Sequence, residues 1–113
     1  MFKFITIFLG TILIAVSYSS IAGGYTNRPE LIKDKYVQGL TSYAAEYLAT
    51  KENLFLNHLK VTGVQTQVVA GLNYKIDFSG KSVDGSSGQL KTCQAIIYVR
   101  LDHTQQVTSV KCH

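Results

Sequence analysis

Gln67-Val68-Val69-Ala70-Gly71 is a short apolar run closed by a glycine. Residues 59–65 before it and 72–78 after it read as strands, so the run predicts a tight hairpin. Gly71 supplies the positive φ that closes such a turn. Hairpin tips ordinarily carry Asn, Asp, Ser or Pro. An apolar tip therefore either packs beneath another element or docks into the cleft of a partner. Taken alone, two adjacent valines in a strand pattern are core residues, so the flanking chain has to decide between burial and docking.

Downstream, Leu72, Tyr74, Ile76 and Phe78 alternate with Asn73, Lys75 and Asp77, the pattern of a half-buried strand. Residues 80–88 (Gly-Lys-Ser-Val-Asp-Gly-Ser-Ser-Gly) form a loop by composition. Residues 89–101 predict a long strand with Cys93, Ala95, Ile97, Val99 and Leu101 on one face. Its other face carries Leu90, Ile96 and Tyr98, which implies burial on both sides. Asp102-His103-Thr104 is a turn and residues 105–112 are the last strand. Upstream, residues 55–65 are strand-like, with Gly63 weakening the alternation. Before them the period changes to that of a helix over residues 31–50, with Val37, Leu40, Ala44, Tyr47 and Leu48 on one face. Pro29 suits a helix start, Glu30 and Asp34 favour its N-terminal end, and Asn53 suits a C-terminal cap. Gly39 is expected where the sheet passes close over the helix, and residues 23–28 read as a flexible arm. Arm, helix and then four strands joined by hairpins make an α+β layer, a helix against one face of an antiparallel sheet.

Of the 113 residues, the first do not belong to this domain. A weakly positive start and an apolar stretch over residues 4–16, followed by small residues, have the form of a secretory signal peptide. The expected cut follows Ala22, leaving residues 23–113 as the domain; an alternative cut follows Ser17. The stretch is too short for a membrane span, so no membrane contact is expected after its removal. Cys93 and Cys112, an even pair in an exported chain, read as one disulfide. It closes a loop of about 20 residues and is worth about 3 kcal/mol in the chain-entropy picture. The formal net charge of +4 comes from scattered lysines and arginines that form no stripe, which disfavours nucleic acid as a partner. His58, His103 and His113 lack metal-ligand spacing, and no acid/base pair of carboxylates is visible. The residues thus offer no catalytic group, metal site or cofactor site, and the chain reads as a non-enzyme.

The ordered set of motifs resembles the cystatin family across the whole mature domain, closest to secreted, insect-type members with a reduced disulfide set. The resemblance rests on the glycine pair Gly23-Gly24 before the helix, Ala45-Glu46-Tyr47 within it, Gln67-Val68-Val69-Ala70-Gly71, and the ending Ser109-Val110-Lys111-Cys112. It implies one long helix packed across a curved antiparallel sheet of four to five strands. It also implies reversible, non-covalent occlusion of papain-like cysteine proteases of the cathepsin class by a wedge of three segments. The arm with Gly23 and Gly24 would enter the non-primed side of the cleft. Gln67, Val68, Val69, Ala70 and Gly71 would lie over the catalytic centre, and Leu101, Asp102 and His103 would touch the primed side. Where the family usually has Pro-Trp in the second loop, Arg100-Leu101-Asp102 stands here and the chain has no Trp, so the primed-side contact is expected to be weakened or re-specified. The family's first disulfide is absent. Lys51-Glu52-Asn53 does not match the Ser-Asn-Asp of members that also inhibit asparaginyl endopeptidase. The alternative reading is a secreted cystatin-fold binding or host-defence protein without protease inhibition. A monomer is expected; if copies exchange elements, the 67–71 hairpin is the natural hinge.

Overall fold

A computed structural model describes residues 24–83 and 88–113. The described chain runs as strand β1 (Thr26–Asn27), a 3-10 turn (Pro29–Leu31), helix α1 (Lys35–Lys51) and strands β2 (Leu56–Val69), β3 (Gly71–Ser82), β4 (Leu90–Val99) and β5 (Gln105–Cys112). The strands form one antiparallel sheet in the order of the chain, β1 to β5. The helix packs against one face of this curved sheet.

The helix begins later than its periodicity suggests. Pro29 starts the 3-10 turn, where its fixed φ and missing N–H cost nothing. The α-helix is capped by Asp34, whose carboxylate accepts from the backbone N–H of Tyr36 at 3.0 Å and of Val37 at 3.2 Å. Asp34 is thus a specific cap as well as an anion near the dipole. At the other end Asn53 has φ 55°, the left-handed conformation of a helix-terminating residue just beyond the Glu52 cap. Val37, Leu40, Thr41, Ala44 and Leu48 are buried on one helix face, and Tyr47 packs at its border. Thr41 satisfies its hydroxyl by donating to the Val37 carbonyl at 2.9 Å. Gly39 corrects an expectation: it is exposed, and a Cβ there would meet nothing within 4 Å, so no strand passes over it.

The sheet's inner face supplies the other half of the core: Val61 and Val64 from β2, Ile76 and Phe78 from β3, Cys93, Ala95, Ile97 and Val99 from β4, and Val110 from β5. Their alternation with outward residues is the period-two signature of strands with one buried face. The outer face of β4 is not buried as expected: Leu90 is exposed and Ile96 and Tyr98 are only half-buried. Breaks in register between Asn57 and Lys60, between Val61 and Gly63, and between Ile96 and Ile97 bend the strands. Such irregularities let a long sheet wrap a single helix. Cys93 and Cys112 face each other across β4 and β5 and are joined in the expected disulfide.

Besides the helix start, three further segments differ from their expected structure. The arm is not wholly irregular, because Thr26 and Asn27 pair with Thr66 and Gln65 as a fifth strand. β3 continues through Gly80, Lys81 and Ser82, which read as loop. Leu101 is not a strand residue of the inner face: β4 ends at Val99 and Leu101 lies in the turn beyond.

Candidate functional site

The Gln67–Gly71 run folds as a hairpin tip, but a much shorter one than five residues. β2 runs through Gln67, Val68 and Val69, β3 begins at Gly71, and Val69 is register partner to Gly71, so Ala70 alone makes the tip. Gln67 and its partner Asn73 lock the ladder just behind, with the Asn73 amide donating to Gln67 Oε1 at 2.9 Å.

Val68 lies on the same face of β2 as buried Val64 and Thr66. Burial nevertheless fades toward the tip: Ile76 is fully buried, Tyr74 and Leu72 are half-buried, and Val68 is 73% exposed. The strands outrun the helix, whose first turn ends this part of the core at Tyr36. Tyr36 stacks obliquely on Tyr74 with ring centroids 5.9 Å apart. Burial pushes the Tyr74 phenol above its ordinary pKa, with smaller contributions from Tyr36 and Asp34. An open groove of about 530 Å³ remains over the uncovered inner face, lined by Tyr36, Val68, Leu72, Tyr74, Val99 and Leu101 among others. The docking choice for the valines is therefore physically available, since Val68 and Val69 are exposed apolar groups on a rigid ladder.

The second turn stands beside this tip. Arg100 N–H donates to the Thr104 carbonyl at 2.9 Å and His103 N–H to the Arg100 carbonyl at 2.8 Å. His103 takes φ 71°, which closes the turn. Asp102 accepts from the Thr104 hydroxyl at 2.7 Å and the Thr104 N–H at 3.0 Å. These bonds, the hydroxyl first, hold its carboxyl below the usual aspartate range. Leu101 is 79% exposed at the apex. The tip and the turn are in contact through Gly71, which has φ 119°. A Cβ on Gly71 would come closer than 3.0 Å to the Val99 carbonyl oxygen and within 3.2 Å of Arg100 Cα. Glycine is required here by the neighbouring strand of the chain itself.

The arm joins the same end of the sheet. Backing from Asn27 to Thr26 moves the pairing from Gln65 to Thr66, toward the tip. Gly24 and Tyr25, just before Thr26, therefore lie toward the tip end, and Gly24 is exposed there. Gly23 lies outside the described residues. Tyr25 is held by Lys75, whose ammonium sits 4.3 Å from its ring centroid. The Arg28 N–H donates to the Val64 carbonyl at 2.8 Å, and its side chain pairs with Glu30 at 2.7 Å. That bond from Arg28 holds the Glu30 carboxyl low.

Gly24, the hairpin tip and the Leu101-Asp102-His103 turn thus share one edge. Tyr98 and Arg100 bridge tip and turn, a role that neither the expected burial of Tyr98 on a strand face nor the place of Arg100 in the second loop signals. Among the described residues no cluster of three or more His, Cys, Asp or Glu could hold a metal.

A family model of the cystatin domain matches residues 23–112. Among solved structures, the fold is similar to mialostatin, a gut cystatin from the hard tick Ixodes ricinus. That match has a TM-score of 0.65 and 23% identity over 80% of this chain and 97% of that one. A salivary cystatin from the soft tick Ornithodoros moubata matches with a TM-score of 0.64 and 26% identity, over 80% and 97% of the two chains. No curated protein matches the chain by sequence.

Proposed function

The chain belongs to the cystatin family, and from that premise we propose that it is a reversible, non-covalent inhibitor that occludes the active-site cleft of papain-like cysteine proteases. The observation that carries this reading is the exposure of Val68 and Val69 at the tip of a closed ladder, abreast of the second turn. Apolar groups on a fixed backbone fit a groove that is itself apolar-lined. Their ordering cost is already met before docking, so more of the contact energy appears as affinity. In this reading Val68, Val69 and Ala70 enter the cleft, Gly24 and Gly23 of the arm lie to the non-primed side, and Leu101, Asp102 and His103 approach the primed side. Leu101 offers less contact area there than an aromatic anchor, so the first hairpin contributes most of the affinity. We propose further that residues 1–22 direct export and are removed, a reading supported by the Cys93–Cys112 disulfide, which persists in oxidising compartments.

The test is titration of the secreted protein against papain and a cathepsin, with Val69→Asp and Gly24→Glu alongside. Placing a carboxylate at the docking tip costs about 3 kcal/mol or more in desolvation, which is roughly a 100-fold or larger rise in Ki. Gly24→Glu should weaken binding less. Absence of inhibition by the unmodified protein at micromolar concentration would favour the alternative, a cystatin-fold binding protein without inhibitory activity. Equal inhibition by Val69→Asp would move the contact away from this hairpin.

A further inference from the structure

Behind the groove, on the outer face of the sheet, the hairpin tip and the second turn are fastened together. Tyr98 points outward from β4, between the buried residues Ile97 and Val99. Its hydroxyl donates to the carbonyl of Ala70, the tip residue, 28 positions away in the chain. Its ring edge also lies 3.2 Å from where a Gly71 Cβ would stand, so the ring backs the turn that it bonds. Arg100 in turn covers the Tyr98 ring, with Cζ 5.5 Å from the centroid. The guanidinium donates to Thr104 Oγ1 at 3.3 Å, at the end of the second turn, and to Gln106 Oε1 at 2.6 Å, on β5. It forms no salt bridge with any described residue. A continuous chain of contacts therefore runs from Ala70 through Tyr98 and Arg100 to Thr104 and Gln106.

The bond to Ala70 is exposed to solvent, and water could satisfy that carbonyl equally well. It therefore adds little to global stability, and its consequence is positional. Beyond the Val69–Gly71 pair the tip has no further ladder partner, so its angle to the second turn is set by the Gly71–Val99 contact and by Tyr98. We propose that Tyr98, oriented by Arg100, is a positioning residue that holds the first hairpin tip in fixed relation to the second turn, so that the two dock as one surface. This rests on the inhibitor reading above. It matters most in a chain whose second turn offers Leu101 instead of a large aromatic, because affinity then depends on how little ordering remains to be done at docking.

Tyr98→Phe keeps the ring and removes the donor. The first readout needs no protease: backbone 15N order parameters of Ala70 and Gly71 in the free protein should fall from about 0.85 toward about 0.6, while those of α1 stay unchanged. The thermal midpoint should move by no more than about 2 °C. Against papain, Ki should rise about fivefold, mainly through faster dissociation. Arg100→Gln should act in the same direction with a smaller effect, and adding it to Tyr98→Phe should change little further, because Arg100 acts through the tyrosine. Unchanged order parameters at the tip would overturn the proposal, as would fully additive effects of the two substitutions. A large loss of thermal stability would show a structural role instead and would also overturn it. If the unmodified protein does not inhibit, the inhibitor reading fails while the order parameters still decide whether the latch exists. If the tip loosens in Tyr98→Phe and Ki stays the same, the latch does not serve inhibition and the proposal fails.

Discussion

Gly71→Ala is the substitution for which the geometry demands the largest effect from the smallest change, a single methyl group. Two independent costs arise. An alanine held at φ 119° occupies a backbone region that L-residues rarely adopt, worth about 1–3 kcal/mol. The added Cβ also meets the Val99 carbonyl oxygen closer than 3.0 Å, with Arg100 Cα at 3.2 Å. Those neighbours are backbone, so they cannot step aside by a change of rotamer, and overpacking of this kind costs roughly another 1–3 kcal/mol. Taken together, about 2–6 kcal/mol is at stake in a domain whose total stability is on the order of 5–15 kcal/mol. If the ladder stays closed, even the lower figure depresses the thermal midpoint by roughly 10 °C. If instead the tip peels away from β4 to relieve the contact, the Tyr98–Ala70 bond breaks and the midpoint falls less. Under the proposed inhibitor function, the loss then passes to inhibition, at tenfold in Ki for each 1.4 kcal/mol. Thermal unfolding by circular dichroism and inhibition of papain, measured on the same preparation, therefore capture both routes. A midpoint within about 2 °C of the unmodified protein, together with an unchanged Ki, would refute the reasoning, since neither the strain nor the close approach would then exist.

Gly39→Ala should do the opposite. The site is exposed in α1 with nothing within 4 Å, so alanine gains helix propensity and raises stability by up to about 1 kcal/mol in urea unfolding; a loss would mean that the helix is covered there after all. The second turn should be acid-sensitive. The Asp102 carboxyl is held low in the folded state by bonds from Thr104, so its contribution is present above the unfolded aspartate pKa and is lost as pH falls through the lowered folded value. An NMR carboxyl titration should show this depression, and Thr104→Val, which removes the hydroxyl donor, should return Asp102 toward the usual aspartate range. Identical titration curves in the two proteins would refute the assignment.

Features that depend on local periodicity were legible in the sequence. Val37, Leu40, Ala44 and Leu48 recur at helical spacing because one stripe must face the sheet, and they are buried as that spacing requires. Ile76 and Phe78 follow from strict alternation, and the last strand matches residue for residue. The start of α1 was less legible, because Leu31 and Ile32 extend the apolar pattern backwards and mask the better signal, an Asp immediately before the first helical turn. Gly80 illustrates a different limit. Glycine followed by polar residues looks like a loop, yet this glycine is buried in β3 because Leu56 and Leu59 of the neighbouring strand press against it. Composition carries no information about that approach.

The candidate site divides along the same line. Gln67-Val68-Val69-Ala70-Gly71 is visible as a motif, and its glycine is visible as a turn former. The reason that glycine is needed is a carbonyl on another strand, 28 residues away in the chain, and backbone carbonyls leave no mark in a sequence. The same holds for Tyr98, whose partner is the main chain of Ala70. A tyrosine on the outer face of a strand can pack, stack or bond, and only the register of β3 against β4, which sets Leu72 opposite Val99, decides that it reaches the hairpin tip. Apolar exposure followed a similar logic. Val68 keeps the alternation of a core residue, and it is exposed only because the strands continue past the first turn of the helix that would have covered it. What converts a core pattern into an exposed apolar surface here is therefore a difference in length between sheet and helix, a property of how the elements are assembled and not of any residue in the run.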